Sequence, residues 1–470
     1  MKVLIFNPPM LNGVIYMKEL GRCGRKSVAG EVWPQTGLAY IAAVLRNNGH
    51  EVMFLDAMAI GFDVDQSINK IAEFKPDIAI LHTTTPTFMN DTKFLDLIQK
   101  RTGACCGLVG THPTALPEES LKQSSADFVV VSEVEITMKD LCDHFTDDWS
   151  TIPGLAYCKD GKIIRTSERP LFPNLDELPF PARDLMPVDK YIMPFFGESP
   201  FVTIVPSRGC PFQCTFCRAG MVWGENARHR SPDNICDEIE EVITKFGIRN
   251  VVMMTDTLTL NMDWVNTLCK RIIDRNIQIK WIGNSRVDTV SLELLKLMKQ
   301  SGCQLLSFGL ESGNQEILDT SKKNINLKEA IQGIKWAKEA GIITFGYFIV
   351  GLPGETWDTI RETIEFAKEA DPDYANFHVA TPFPGTELYE IAKRNNWLIT
   401  DDWSQYEEEG SAVMRTEHLM PEDLVKAQKM AMRAFYLRPH KIIHEIKQAF
   451  TSPRMFKSKV KAAIHVMAEI

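Results

Sequence analysis

Two stretches of this chain alternate short, β-branched apolar runs with segments of helical period, and a proline-rich stretch separates them. That alternation restricts the fold more than any other feature. Parallel strands need crossover connections, so strands that alternate with helices imply parallel sheets covered on their faces. The 470 residues suffice for two or three domains. An apolar fraction of 44% supplies full cores.

The first block reads as a doubly wound α/β unit. Lys2–Asn7 is a strand ending at Pro8-Pro9. Thr36–Asn48 is a helix, Glu51–Asp56 a strand, and Asp65–Phe74 a helix. Asp77–His82, Cys106–Gly110 and Phe128–Val131 are further strands, with helices at Phe94–Thr102 and Ile136–Phe145. Ligands on such sheets sit beyond the strands' carboxyl ends. Leu171–Lys190 carries Pro173, Pro179, Pro181 and Pro187, which mark a connector. Pro153–Arg165 suits a small hairpin around Asp160-Gly161. The second block, from Phe201 to Trp397, holds six strand–helix units. The expected boundaries are 1–150, 151–195 for the connector, 196–400, and 401–470 for a helical end.

Cys210, Cys214 and Cys217 form C-x3-C-x2-C in the loop after the first strand of the second block. Three thiolates in one short loop hold three irons of a 4Fe–4S cluster. No fourth cysteine lies nearby, so one iron stays open to another ligand. Zinc sites pair a C-x2-C unit with a second pair or with histidines, and that half is missing. A disulfide framework belongs to small secreted chains. The other eight of the eleven cysteines (Cys23, Cys105, Cys106, Cys142, Cys158, Cys236, Cys269, Cys303) are scattered and read as small core residues.

The cysteine motif, with Phe216 before its third cysteine, resembles the radical S-adenosylmethionine (SAM) superfamily. The resemblance implies a partial (β/α)6 barrel. It also implies that SAM binds the open iron and is cleaved to methionine and a 5′-deoxyadenosyl radical. Strand-end residues then take cofactor-binding roles in chain order. Asp256 would meet the SAM amino group, and Arg286 its carboxylate, which a guanidinium pairs bidentately. Glu311 and Ser312 would meet the ribose or the amino acid moiety. Gly351 and Pro382 lie in loops that resemble the family's adenine-side turns.

The first block resembles the cobalamin-binding domain that precedes many radical SAM enzymes. Thr83, Thr84, Thr85 and Thr87 match its hydroxyl-rich loop. Gly110, His112, Pro113 and Thr114 match its Gly-Gly-x-His-Pro-Thr turn. Glu133, in Ser132-Glu133-Val134-Glu135, stands where the family has an Arg-Gly-Glu-Gly-Glu motif, with the arginine and one glycine replaced. Trp33–Leu38 is also typical. Short hydroxyls and backbone N–H groups suit a polar-rimmed ligand. Carriers that ligate cobalt through Asp-x-His-x-x-Gly have histidine where this chain has Met58, which is expected to pack. His82 and His112 are expected to anchor loops.

A net charge of −9 argues against nucleic acid as a partner. No apolar run is long enough for a bilayer, and free cysteines fit a reducing cytoplasm. The carboxyl-terminal helices, Pro421–Phe435, Leu437–Phe450 and Met455–Met467, become basic towards the end. A solvated face is the expectation for them, and a weak membrane-surface contact or an acidic partner is the second use of such a face. Arg218, Trp223, Arg228, His229 and Arg230 are substrate-channel candidates, with surface ion pairs as the alternative for Arg228 and Arg230. Tyr347 and His378 are weaker candidates for proton or hydrogen transfer.

The expected activity is C-methylation of an unactivated carbon, with cluster, SAM and cobalamin as cofactors. The substrate is a small molecule or a protein side chain, and the electron donor an external flavodoxin or ferredoxin. The same architecture also serves radical cyclases, ring-contracting and deoxygenating enzymes. A cobalamin or redox sensor is the reading of another class.

Overall fold

The computed structural model describes residues 1–443 apart from 20, 22, 23, 28, 29 and 198. The helix expected at 455–467 and most of that at 437–450 lie outside them, as does Cys23.

The first sheet has seven strands. We number them β1 (Lys2–Asn7), β2 (Glu51–Asp56), β3 (Ile78–His82), β4 (Cys105–Val109), β5 (Phe128–Val130), β6 (Leu155–Lys159) and β7 (Lys162–Arg165). Their spatial order is β2-β1-β3-β4-β5-β6-β7. The first five are parallel, so the strand order reverses between β1 and β3, where doubly wound sheets bind ligands. The expected hairpin forms, but as β6 and β7, antiparallel to β5. It therefore extends the sheet instead of belonging to the connector.

The second sheet contains β8 (Phe201–Ile204), β9 (Asn250–Met253), β10 (Lys280–Ser285), β11 (Cys303–Glu311), β12 (Ile343–Val350) and β13 (Tyr374–Val379). All six are parallel and in sequential order, which is the partial barrel expected. Helices Pro232–Phe246, Met262–Asp274, Leu292–Gln300, Leu327–Glu339 and Trp357–Ala370 cover its outside. Ser231 caps the first of these, ahead of Pro232, and Gly247 ends it with a left-handed φ of 69°. Strands β12 and β13 alternate buried with half-buried residues. A parallel strand covered on both faces would be buried throughout. Here the half-buried set, including Tyr347, Ile349 and His378, looks into the barrel.

Thr36 and Thr203 hydrogen-bond across the two units. In the connector, Arg183 is buried, donating to Thr203 O at 2.7 Å and to Glu238 at 2.5 Å. After β13 the chain returns to the first unit: Trp403, Tyr406 and Val413 pack in the same core as Phe88 and Phe94. The helix Pro421–Tyr436 then closes the outside of the barrel, with Leu424 against Gly351. Among the described residues no helix is long and apolar enough to cross a membrane.

Candidate functional site

The cluster loop leaves the carboxyl end of β8. Among the described residues the ten cysteines are free thiols. Cys106, Cys142, Cys236, Cys269 and Cys303 are buried, as expected of core residues; Cys158 is exposed on the hairpin and is not one. Burial pushes the three loop thiols up: Cys217 to about 12, with Asp256 adding to the effect, and Cys210 and Cys214 in the same direction. Cys210 and Cys214 both act electrostatically on Cys217, so the three lie together. Cys210 is buried, Cys214 partly so, and Cys217 opens onto the cavity described below. Thiols held protonated in this way release their protons readily only to a cationic centre, and three thiols from one short loop fit a 4Fe–4S cluster with one protein ligand short.

Asp256 lies next to this loop, since its charge acts on both Cys210 and Cys217. Arg286 is buried beside Cys210 and Cys214, its guanidinium 3.6 Å from the Phe212 ring centroid. Its Nε and Nη2 are engaged by Asp288 at 2.9 and 2.8 Å, and Nη2 also donates to Lys323 O. A bidentate grip on the SAM carboxylate would have to displace Asp288. Glu311 ends β11 at a register shift with a φ of 63°. That backbone region is costly for a side chain with a Cβ and marks functional positions. Its carboxylate is held by Lys323 at 2.8 Å, with both side chains 9% exposed. Sequence reasoning missed Lys323. Ser312 is buried, its hydroxyl 3.1 Å from Thr363 Oγ1 and accepting Asn314 N–H, so the structure engages it within the fold. Gly351, with a φ of 95°, donates its N–H to Glu355, whose carboxylate also takes Leu352 N at 3.1 Å. Pro382 sits in the turn after β13, where Thr381 donates to Val379 O and Glu407 O.

A cavity of about 400 Å³ lies at the barrel mouth. Phe216, Cys217, Asn284, Glu311, Tyr347 and His378 line it from the barrel side. Met17, Lys18, Glu19, Arg25 and Trp33 line it from the first unit. Of the channel candidates, Arg218 alone lines this cavity. Arg228 and Arg230 make ion pairs, with Glu133 and Glu238, but these are internal and not on the surface. Trp223 lies under Arg208, and His229 packs on Trp264.

The cobalamin-side loops meet this region from the carboxyl ends of β3, β4 and β5. Thr83, Thr84, Thr85 and Thr87 are fully buried, with Thr84 and Thr87 hydroxyls 3.0 Å apart. The Gly24 backbone lies over them: a Cβ there would stand 2.1 Å from Thr84 Oγ1. A corrin reaching these hydroxyls has to displace that segment. Gly110 has a φ of 126°, and a Cβ on it would stand 2.1 Å from Thr83 O, so the turn needs glycine. His112 anchors the turn through Nδ1 to Thr85 Oγ1 at 3.3 Å, its ring between Phe88 and Trp403. Pro113 follows it in the same short helix, and Thr114 Oγ1 accepts Ser132 N. His82 bonds Gln35 through Nδ1 at 3.1 Å, while Nε2 is buried without a partner. Burial pushes both imidazoles down to about 3, so both are neutral. Met58 packs in the core with Tyr191 and Phe201, as expected. Hydroxyls, a close-approach glycine and an orphaned ring nitrogen at the switch point fit a polar-rimmed cofactor. Glu133 does not join them: its oxygens are taken by Arg208, Arg228 and Phe172 N.

Comparisons with known proteins agree with this geometry. Residues 204–367 match the radical SAM superfamily, and residues 24–142 the B12 binding domain. An uncharacterized methyltransferase of Pyrococcus horikoshii is 35% identical over 451 residues, covering 95% of each chain. An anaerobic magnesium-protoporphyrin IX monomethyl ester cyclase of Rubrivivax gelatinosus is 30% identical over 80% of this chain and 69% of its own. Among solved structures, the radical SAM methyltransferase TsrM of Kitasatospora setae, with cobalamin and a [4Fe-4S] cluster bound, shares the fold. Its TM-score is 0.72 at 16% identity, over 93% of this chain and 89% of that one.

The chain belongs to the radical SAM superfamily, in the branch that carries a B12-binding domain. It is an enzyme of the cobalamin-dependent, methyltransferase-like kind, and its cofactors are a 4Fe–4S cluster, SAM and cobalamin. Enzymes of this superfamily act with an external reductant.

Proposed function

We propose that the protein methylates an unactivated carbon of a substrate bound in the cavity at the barrel mouth. The single observation behind this reading is that cavity itself: Cys217 and Glu311 of the SAM side share its wall with Lys18, Glu19 and Trp33 of the first unit. When bound, the cluster supplies the electron that cleaves SAM, and cobalamin supplies the methyl group. Cys210, Cys214 and Cys217 hold the cluster. Asp256 and Glu311 orient the SAM amino acid and ribose, with Phe216 beside them on the cavity wall. Arg286 stiffens the cluster loop through Phe212 and takes the SAM carboxylate once Asp288 yields. The turns at Gly351 and Pro382 face adenine through their backbone. Thr83, Thr84, Thr85, Thr87 and the Gly110–Thr114 turn hold the corrin. Walls of Trp33, Ile349, Val379 and Phe383 keep water from the reacting carbon. The working units are residues 1–150 together with the hairpin up to Arg165 for cobalamin, a connector from there to 195, 196–400 for SAM and a helical end from 401.

The test is mass spectrometry of anaerobically reconstituted protein given cobalamin, reductant, methyl-labelled SAM and an extract of its source cell. A product heavier by one labelled methyl is the expected result. Turnover that yields 5′-deoxyadenosine and a rearranged product without label would instead place the chain with the cyclases.

A further inference from the structure

Building on the radical SAM reading, we propose that the cavity takes a substrate bearing a carboxylate or phosphate, and that this oxyanion lies on Arg218. Eight lysine and arginine side chains are buried among the described residues. Seven have a carboxylate partner: Lys18 with Asp91, Arg183 and Arg230 with Glu238, Arg208 with Glu133 and Glu135, Arg286 with Asp288, Lys323 with Glu311, and Lys441 with Asp371. Arg218 is the eighth, and no carboxylate pairs with it among the described residues.

The Arg218 side chain is held firmly. The residue is 3% exposed. Its Nη1 lies 3.2 Å from Thr85 Oγ1, and its guanidinium carbon lies 4.7 Å from the Phe383 ring centroid. Nε and Nη2 are buried without a partner. These two nitrogens form the side-on fork of a guanidinium, whose parallel N–H bonds match two oxygens of a carboxylate or phosphate. A buried cation without a counter-charge is strongly disfavoured. This fold has met that cost with a carboxylate at the other seven positions, so an anion from outside is the missing partner. Arg218 lines the cavity, whose volume of about 400 Å³ suits a small ligand. The other cations on the wall are already engaged: Lys18 by Asp91, and Arg25 by Tyr347 first and then by the field of Glu408 and Glu409.

SAM and cobalamin carry oxyanions of their own, so the test must separate them from a substrate. Inorganic phosphate and acetate are titrated calorimetrically into holoprotein preloaded with SAM and cobalamin, in buffer free of other oxyanions, with acetamide as the neutral control. We expect the wild type to bind an anion and not acetamide. Arg218→Met should weaken anion binding at least tenfold, and Arg218→Lys should keep part of it. Dialysis should show SAM and cobalamin affinities within twofold of wild type. A wild type that binds neither anion, or a Met variant that binds as well as wild type, overturns the inference. So does a tenfold loss of SAM or cobalamin affinity in the Met variant, which would give Arg218 to a cofactor. If the Met variant fails to fold, Arg218→Lys carries the comparison, and a Lys variant that binds the anion as tightly as wild type overturns the inference. Formation of 5′-deoxyadenosine by reduced wild type is scored alongside. Its absence overturns the radical SAM reading itself, whereas its presence without anion binding overturns only the substrate class.

Discussion

Arg208 Nη2 lies 2.5 Å from Glu135 Oε1, with both side chains 3% exposed. Arg208 stands two residues before Cys210, and Glu135 opens the helix after β5, so this pair ties the cluster loop to the first unit. Glu133 accepts from the same guanidinium at 3.2 Å. Removing Arg208 would leave Glu135 buried without its counter-charge, while Glu133 keeps Arg228. Arg208→Met should cost about 3–5 kcal/mol, the usual penalty for stripping one partner from a buried pair. Denaturant unfolding of the reconstituted protein measures it, and a loss under about 1 kcal/mol would mean that water already reaches the pair.

Single Cys210→Ala, Cys214→Ala and Cys217→Ala changes should each abolish 5′-deoxyadenosine formation and most of the iron–sulfur absorbance. Cys269→Ala, in the core between helices, should keep both. Iron content and the visible spectrum after anaerobic reconstitution check the contrast.

Glu355 is fully buried, with one carboxylate oxygen without a partner. Burial pushes its pKa up from 4.5 to about 8, against the lowering effect of the Gly351 and Leu352 N–H bonds. The folded chain holds this proton more tightly than the unfolded one. Its stabilising effect is therefore complete below pH 4.5 and is lost as pH rises through about 8. Each tenfold change in proton affinity is worth about 1.4 kcal/mol, so several kcal/mol are at stake across that window. Glu355→Gln should flatten this slope, gaining on wild type from about pH 5 to about pH 8. Unfolding midpoints at both values test it, and parallel curves would contradict it.

Lys323→Met strips the counter-charge from Glu311 beside Cys214 and should weaken SAM binding about tenfold or more. Ser312→Ala should leave SAM affinity nearly unchanged while costing about 1 kcal/mol of stability, the net worth of a buried hydrogen bond. Equilibrium dialysis with SAM separates the two; a large affinity loss in Ser312→Ala would return the ligand role to that hydroxyl.

Gly110→Ala forces a Cβ against Thr83 O at a φ of 126°. The turn has to rearrange, and cobalamin loading followed by absorbance should fall sharply while cluster content stays.

Periodicity made most of the fold legible. Every strand of both sheets was visible because apolar runs bounded by turn residues report burial locally. Helix Phe88–Thr102 begins six residues before the expected Phe94, since its first turn buries the polar Asp91 against Lys18 and packs in one core with Trp403 and Tyr406, far along the chain. The candidate cluster site was legible because its three cysteines sit in one loop. Lys323, the Arg208–Glu135 pair and the unpaired state of Arg218 were not legible. Each depends on which side chains meet across tens to hundreds of residues, and a charge gives no periodic sign of its partner. Glu133 and Ser312 followed family position, but the fold had already committed their oxygens elsewhere.

Trp403 donates its indole N–H to Gln123 and packs on His112, so the first unit is finished by residues near the other end of the chain. On the ribosome, that unit emerges long before its last aromatic plug. At about 5–20 residues per second, the wait is on the order of 15–50 s, during which the face carrying Phe88 and His112 stands open to chaperones or to an early-arriving corrin.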